Sequence, residues 1–238
     1  MPAPADPRLI AALDVPTVAD AEALVERIGD AVSFYKIGLQ LLASDGMALA
    51  RTLKRSGRAV FADWKLHDIG ATVERATAAI AAQEACDFLT VHGEPQVMAA
   101  AVEGRGSAPL KLLAITVLTS LSDRDVAEIG YAMAARALVE RRVLQALDAG
   151  VDGVVASPQE AALARAIAGP DFLIVTPGVR PAGASLDDQA RSAAPADALR
   201  SGASHLVVGR PITAAPDPRA AALAIVDEMA RVGIARRA

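Results

Sequence analysis

The sequence predicts an α/β protein of the (β/α)8 barrel class, on three observations. Short apolar runs of β character occur eight times along 238 residues, each followed by an alanine-rich stretch of helical period. Strand and helix alternate from end to end, the pattern of a parallel sheet, and eight such units in about 240 residues fit a closed barrel. The rival open, doubly wound sheet would carry Gly-x-Gly-x-x-Gly after its first strand, where Leu13-Asp14-Val15-Pro16 stands instead.

The elements follow in order. Leu9–Asp14 is the first strand candidate and Val18–Gly29 the helix after it; Phe34–Gly38 and Ala59–Lys65 are the next strands, with a helix over Thr72–Ala85. Phe88–His92 and Leu110–Leu118 read as the fourth and fifth strands, ahead of a helix over Ala132–Ala149. Gly153–Ser157, helix Gln159–Ala168, Phe172–Gly178, His205–Arg210 and helix Asp217–Val232 complete the series. No linker or low-complexity tract interrupts it, so residues 1–238 are expected to form one barrel domain. The long aperiodic stretch Val179–Ala194, with Pro181, Gly183, Ser185 and the pair Asp187-Asp188, has the length of a functional lid.

Composition narrows the function. Hydrophobic residues make up 53% of the chain, the formal net charge is −4 and aromatic residues are only 3%, so neither the basic footprint nor the stacking platforms of a nucleic-acid binder are present. The opening MPAPADPR has no apolar leader core, no apolar run reaches the roughly 18 residues of a membrane span, and the lone Cys86 has no partner within the chain. A cytoplasmic protein that binds neither nucleic-acid polymer nor membrane is expected.

In such barrels chemistry sits at the C-terminal strand ends. There the sequence places Asp14, Lys36, Asp63 with Lys65, Thr119 with Ser120, Arg180, and Gly209 with Arg210. Alternation along a strand puts Asp63 and Lys65 on one side, toward the barrel mouth, while Asp68 lies past the strand end and is free to face that mouth or another subunit. An Asp-x-Lys at a strand end can be no more than a solvated ion pair, but Lys36 within Phe34-Tyr35-Lys36-Ile37-Gly38 would pay desolvation unless paired. Gly209-Arg210 could simply stop a strand; the loops after strands seven and eight are also a recurrent phosphate cradle, where glycine admits the backbone and arginine offers a forked donor. His67, His92 and His205 lack metal-ligand spacing and read as structural, and Cys86 shows no sign of activation.

Taken together, Asp63-x-Lys65-x-x-Asp68-Ile69-x-x-Thr72, preceded by Ala12-Leu13-Asp14 and Lys36-x-Gly38 and followed by Val175-Thr-Pro-Gly-Val-Arg180, Asp188-Gln189 and Val208-Gly-Arg210, resembles the orotidine 5′-phosphate decarboxylase family. The resemblance runs from residue 9 to about residue 218. It implies a (β/α)8 homodimer with shared active sites that converts orotidine 5′-monophosphate to uridine 5′-monophosphate (UMP) and carbon dioxide, with neither metal nor organic cofactor. It makes Lys65 the proton donor to C6, with Asp63 and Lys36 beside it, and sends Asp68, Ile69 and Thr72 into the neighbouring subunit's site. It assigns Asp14 and Lys36 to the ribose, Thr119 to the pyrimidine region, and Pro177, Arg180, Gln189, Gly209 and Arg210 to the lid and phosphate end. Trp64 stands where a smaller aliphatic is common, and Gly70-Ala71 replaces a frequent Pro-Asn; both bear on packing rather than on a matched polar role.

Two other readings share parts of this pattern. A metal-dependent sugar-phosphate decarboxylase or aldolase of the same barrel group shares Asp-x-Lys-x-x-Asp but usually carries an acidic residue on strand two, where this chain has Lys36. A catalytically silent phosphate-binding barrel would keep the cradle but has no reason to maintain a costly charge cluster.

Overall fold

The computed structural model describes residues 5–180 and 193–234. Eight parallel strands close into a barrel in sequence order: β1 (Leu9–Ala12), β2 (Phe34–Gly38), β3 (Ala59–Leu66), β4 (Phe88–His92), β5 (Lys111–Ile115), β6 (Gly153–Val155), β7 (Leu173–Thr176) and β8 (His205–Val208). Closure comes from β1, which pairs with β2 on one edge and with β8 on the other, Ile10 lying opposite both Phe34 and Val207.

The period of two along each strand divides the side chains between two cores. Leu9, Ala11, Tyr35, Ile37, Val60 and Ala62 face outward into the layer shared with the helices. Ile10, Ala12, Phe34, Phe61, Phe88, Leu113, Val175 and Val207 fill the barrel itself. Phe34 and Lys36 therefore share the inner face of β2, the ring low in the barrel and the ammonium above it.

Local chemistry sets the helix boundaries. Thr17 caps Val18–Ile28 by accepting from the Asp20 amide at 3.1 Å, and Gly29 ends that helix at φ +63°. Helix Gly70–Ala81 presses against helix Pro95–Arg105 so closely that a Cβ on Gly104 would lie 2.1 Å from the Glu74 carbonyl oxygen; only glycine fits there.

The predicted strands β2 and β4 have the observed bounds, while β1, β5, β6, β7 and β8 stop short of the sequence-based limits. The residues shed from them, such as Asp14, Val117-Leu118, Pro177-Gly178 and Gly209-Arg210, lie in the loops that border the barrel mouth. Apolar patterning cannot separate them from strands because Leu13 and Val117 are as buried as the strand residues before them. Helix Asp123–Glu128, capped by reciprocal bonds between Ser122 and Asp125, precedes helix Ala135–Ala149 as a separate piece. No helix among the described residues is long and apolar enough to cross a membrane.

Candidate active site

A cavity of about 450 Å³ opens at the C-terminal end of the barrel, within the usual range for small-molecule sites. It brings together residues remote in sequence: Asp14 after β1, Lys36 on β2, Asp63 and Lys65 on β3, Thr119 after β5, Pro177 and Arg180 after β7, and Gly209 and Arg210 after β8 all border it. Phe61, Ile115, Val155 and Val207 form its apolar base.

Four charges alternate in sign across one wall. Lys36 Nζ lies 2.9 Å from Asp14 Oδ1 and 3.4 Å from Asp63 Oδ2, and Lys65 Nζ lies 2.8 Å from Asp63 Oδ1. Asp63 thus spends one carboxylate oxygen on each lysine. Burial by itself would lower the Lys36 ammonium, but the Asp63 and Asp14 carboxylates outweigh it and hold its pKa above the ordinary lysine value. Burial would likewise raise Asp63, yet Lys36 and Lys65 keep that carboxyl below the usual aspartate value. Gly38 makes room for the pair, since a Cβ there would sit 3.1 Å from Asp14 Oδ1 and 3.2 Å from Lys36 Nζ.

Asp63 and Lys65 meet as expected, but not by regular strand alternation. Pairing between β3 and β4 jumps from Ala62↔Leu89 to Leu66↔Val91, so three residues of β3 face the single residue Thr90. Lys65 adopts φ +50°, a left-handed conformation that L-residues seldom take. The bulge, not the pleat, aims the Lys65 side chain at Asp63. Trp64, between them, is buried in the core shared with the helices.

Asp68, Ile69 and Thr72 do not border this cavity. Asp68 is exposed and accepts a hydrogen bond from the Ile69 amide at 2.6 Å; Ile69 is 72% exposed, and Thr72 sits in the first turn of helix Gly70–Ala81. All three form a rim outside the mouth of their own barrel. Gln189 and most of the Val179–Ala194 segment lie outside the described residues; the flanks of that segment meet in a bridge between Val179 and Ala193, with the Arg180 amide donating to the Ala193 carbonyl at 3.0 Å.

Sequence reasoning did not single out Thr90, fully buried beneath the Asp63–Lys65 pair, although a hydroxyl between Phe88 and His92 on the inner face of β4 was the available signal. It also missed a polar cluster beside the mouth. His67 and His92 stack at 4.5 Å between ring centroids, and Glu94 Oε2 lies 3.7 Å from a ring nitrogen of each. Glu94 Oε1 is held at 2.9 Å by Arg142, which also donates to the Tyr131 hydroxyl and the Thr116 carbonyl. His67 is exposed rather than buried, and it meets His92 by ring stacking. Burial holds His92 below the ordinary imidazole value despite Glu94. Cys86 is buried and its thiol is pushed up to about 12, which leaves it inert.

Fold and site together define a (β/α)8 barrel whose mouth carries an alternating lysine–aspartate wall and two arginines on one cavity. The chain belongs to the orotidine 5′-phosphate decarboxylase / HUMPS family, whose model matches residues 7–225. It is 69% identical over 226 residues to the orotidine 5′-phosphate decarboxylase of Caulobacter sp. (strain K31), covering 95% of this chain and 98% of that one. It is 57% identical over 223 residues to the enzyme of the same name from Rhodopseudomonas palustris (strain ATCC BAA-98 / CGA009), covering 94% of each. Among solved structures, orotidine 5′-phosphate decarboxylase from Lactobacillus acidophilus superposes with a TM-score of 0.82 at 36% identity, over 94% of this chain and 99% of that one.

Proposed function

We propose that this chain decarboxylates orotidine 5′-monophosphate to UMP in pyrimidine biosynthesis, with Lys65 as the proton donor in a site completed by a second subunit. The single observation that carries the reading is the Asp14–Lys36–Asp63–Lys65 wall, which lines one cavity together with Arg180 and Arg210.

Loss of carbon dioxide from C6 of the pyrimidine breaks the C6–carboxyl bond and leaves its electron pair in an sp² orbital that the ring does not delocalise well. A cation held at that carbon stabilises the charge and can hand over a proton. Lys65 Nζ gives that proton to C6, carbon dioxide departs, and the amine regains a proton from water before the next turnover. Asp63 crowds the substrate carboxylate at the same time: two unit charges at ~4 Å repel by about 4 kcal/mol at an effective dielectric of ~20. That stress is useful only when the far end of the substrate is anchored. Arg210 and the backbone at Gly209 would grip the phosphate, with Arg180, Pro177 and Gln189 closing the lid end, so that remote binding energy is spent at C6. Asp14 and Lys36 would hold the ribose hydroxyls, and Thr119 the pyrimidine edge.

We further infer a cytoplasmic homodimer. Leu39, Leu42 and Ile69, on the segments that follow β2 and β3, are exposed apolar side chains beside the mouth, a surface that a second copy would cover. Asp68, Ile69 and Thr72 would then reach the partner's cavity rather than their own. Mixing Lys65→Ala and Asp68→Ala proteins by denaturation and refolding tests this directly. Random pairing makes about half the dimers mixed, each with one intact site, so roughly a quarter of wild-type activity should return. No recovery despite demonstrated heterodimers would confine Asp68 to its own chain.

The activity is tested by the absorbance lost as orotidine 5′-monophosphate is consumed, with and without a chelator. Turnover insensitive to chelator is expected; turnover that needs an added divalent cation would favour the sugar-phosphate branch of the barrel group instead.

A further inference from the structure

We infer that Thr90 is a positioning residue for the reaction: its hydroxyl bolts the Asp63–Lys65 pair across the β3 bulge. Where β3 carries three residues against one, the regular ladder cannot supply a partner for the Lys65 amide. Thr90 Oγ1 supplies it, accepting from Lys65 N at 3.0 Å, and donates its own proton to Asp63 Oδ1 at 3.0 Å. That same carboxylate oxygen receives Lys65 Nζ at 2.8 Å. One buried hydroxyl therefore holds both ends of Lys65: the main chain directly, in its left-handed turn, and the ammonium through Asp63.

The geometry leaves few substitutes. Thr90 is fully buried on the inner face of β4, so no solvent water stands ready to replace the hydroxyl. The Ala62 carbonyl, 3.5 Å away, is the alternative acceptor for its proton, and turning to it would release Asp63. Lys65 would then keep a charge partner but lose the fixed distance between that partner and its own backbone. A loosened reacting group is costly, because displacement on the order of 1 Å reduces turnover by about 10²-fold.

The inference rests on Lys65 acting at C6, and its test separates the two. Thr90→Val keeps the volume and removes the hydroxyl; Thr90→Ser keeps the hydroxyl and removes a methyl. Thr90→Val is expected to lower kcat on orotidine 5′-monophosphate by about 30- to 100-fold with KM within about twofold, because the phosphate grip lies elsewhere, while Thr90→Ser recovers at least about a third of wild-type kcat. Amide hydrogen exchange at Lys65 should accelerate in Thr90→Val and stay slow in Thr90→Ser. Thr90→Val with kcat within about threefold of wild type would overturn the inference, and so would a folded Thr90→Ser as slow as Thr90→Val with Lys65 amide exchange unchanged in both. Should Lys65→Ala prove active, the reading of Lys65 fails, and the exchange rate still decides whether Thr90 holds that backbone.

Discussion

The floor and the mouth of this barrel use the same inner-facing strand positions for opposite ends. On the floor, Phe88 sets its ring edge-on to Phe34 at 5.0 Å and to His205 at 5.1 Å, with Phe61 at 6.0 Å, so the bottom of the barrel is closed by aromatic packing. At the mouth, the next inward positions on the same strands carry Lys36, Asp63 and Thr90 in place of apolar fill. The floor gains from every buried surface. The mouth does the reverse: it desolvates Lys36 and Asp63, holds Lys65 in a left-handed conformation and leaves a cavity. A charge wall and a strained residue cost stability, and the proposed role of this cavity as the substrate site accounts for both.

Substitutions should therefore separate the two regions. Lys65→Ala is the largest expected effect: turnover should fall by at least about 10²- to 10⁴-fold, the range for a positioned proton donor, with UMP binding largely kept. Retention of most of kcat by pure protein would remove Lys65 from that role. Phe88→Ala is the opposite case, expected to cost about 3–5 kcal/mol in urea unfolding while the folded enzyme keeps its KM. If it were instead silent in stability, the floor would not be the structural half of the barrel.

The third test uses pH. Burial pushes His205 down to about 4, the Asp6 carboxylate opposing only weakly. Because the folded value lies below the unfolded one near 6.5, the unfolded chain takes up the proton first as pH falls. The His205 contribution should then decline between pH 6.5 and 4 by about 3 kcal/mol and stay level below, where the low-held Asp63 carboxylate adds a further loss of its own. His92, also held low, adds to that slope, so the His205 share is the part that disappears in His205→Leu. An unchanged slope in that variant would place the His205 side chain in a wetter floor than the structure has. The smallest effect sharpens the claim of strain at the mouth. With φ +50° at Lys65, Lys65→Gly should be more stable than Lys65→Ala by about 1 kcal/mol. Equal stabilities would mean the bulge relaxes once the lysine is gone.

How much of this was legible in advance depends on range. Lys36 in the otherwise apolar run Phe34–Gly38 announced a charge that would need a partner, and the structure pairs it with Asp14 and Asp63. Strand alternation applied to Asp63 and Lys65 reached the right encounter by the wrong route, since it could not foresee the two-residue mismatch with β4. Bulges are decided by pairing between strands, and Thr90 is 25 residues from Lys65 in the chain. Likewise His67 and His92 had no spacing to relate them, because β3 and β4 become neighbours only when the sheet is assembled.

The amino-acid sequence by itself determined the alternation of strand and helix, the closed eight-strand barrel, and the set of charged residues at the strand ends. Those depend on local periodicity and on motifs a few residues long, which need no tertiary contacts to be read. Only the tertiary structure decided which charges touch, that Asp63 divides its two oxygens between two lysines, and that Asp68 and Ile69 stand outside their own barrel's cavity. Ion pairs and hydrogen bonds act over about 3 Å, and a distance that short between segments distant in sequence exists only once closure has brought the strand ends together.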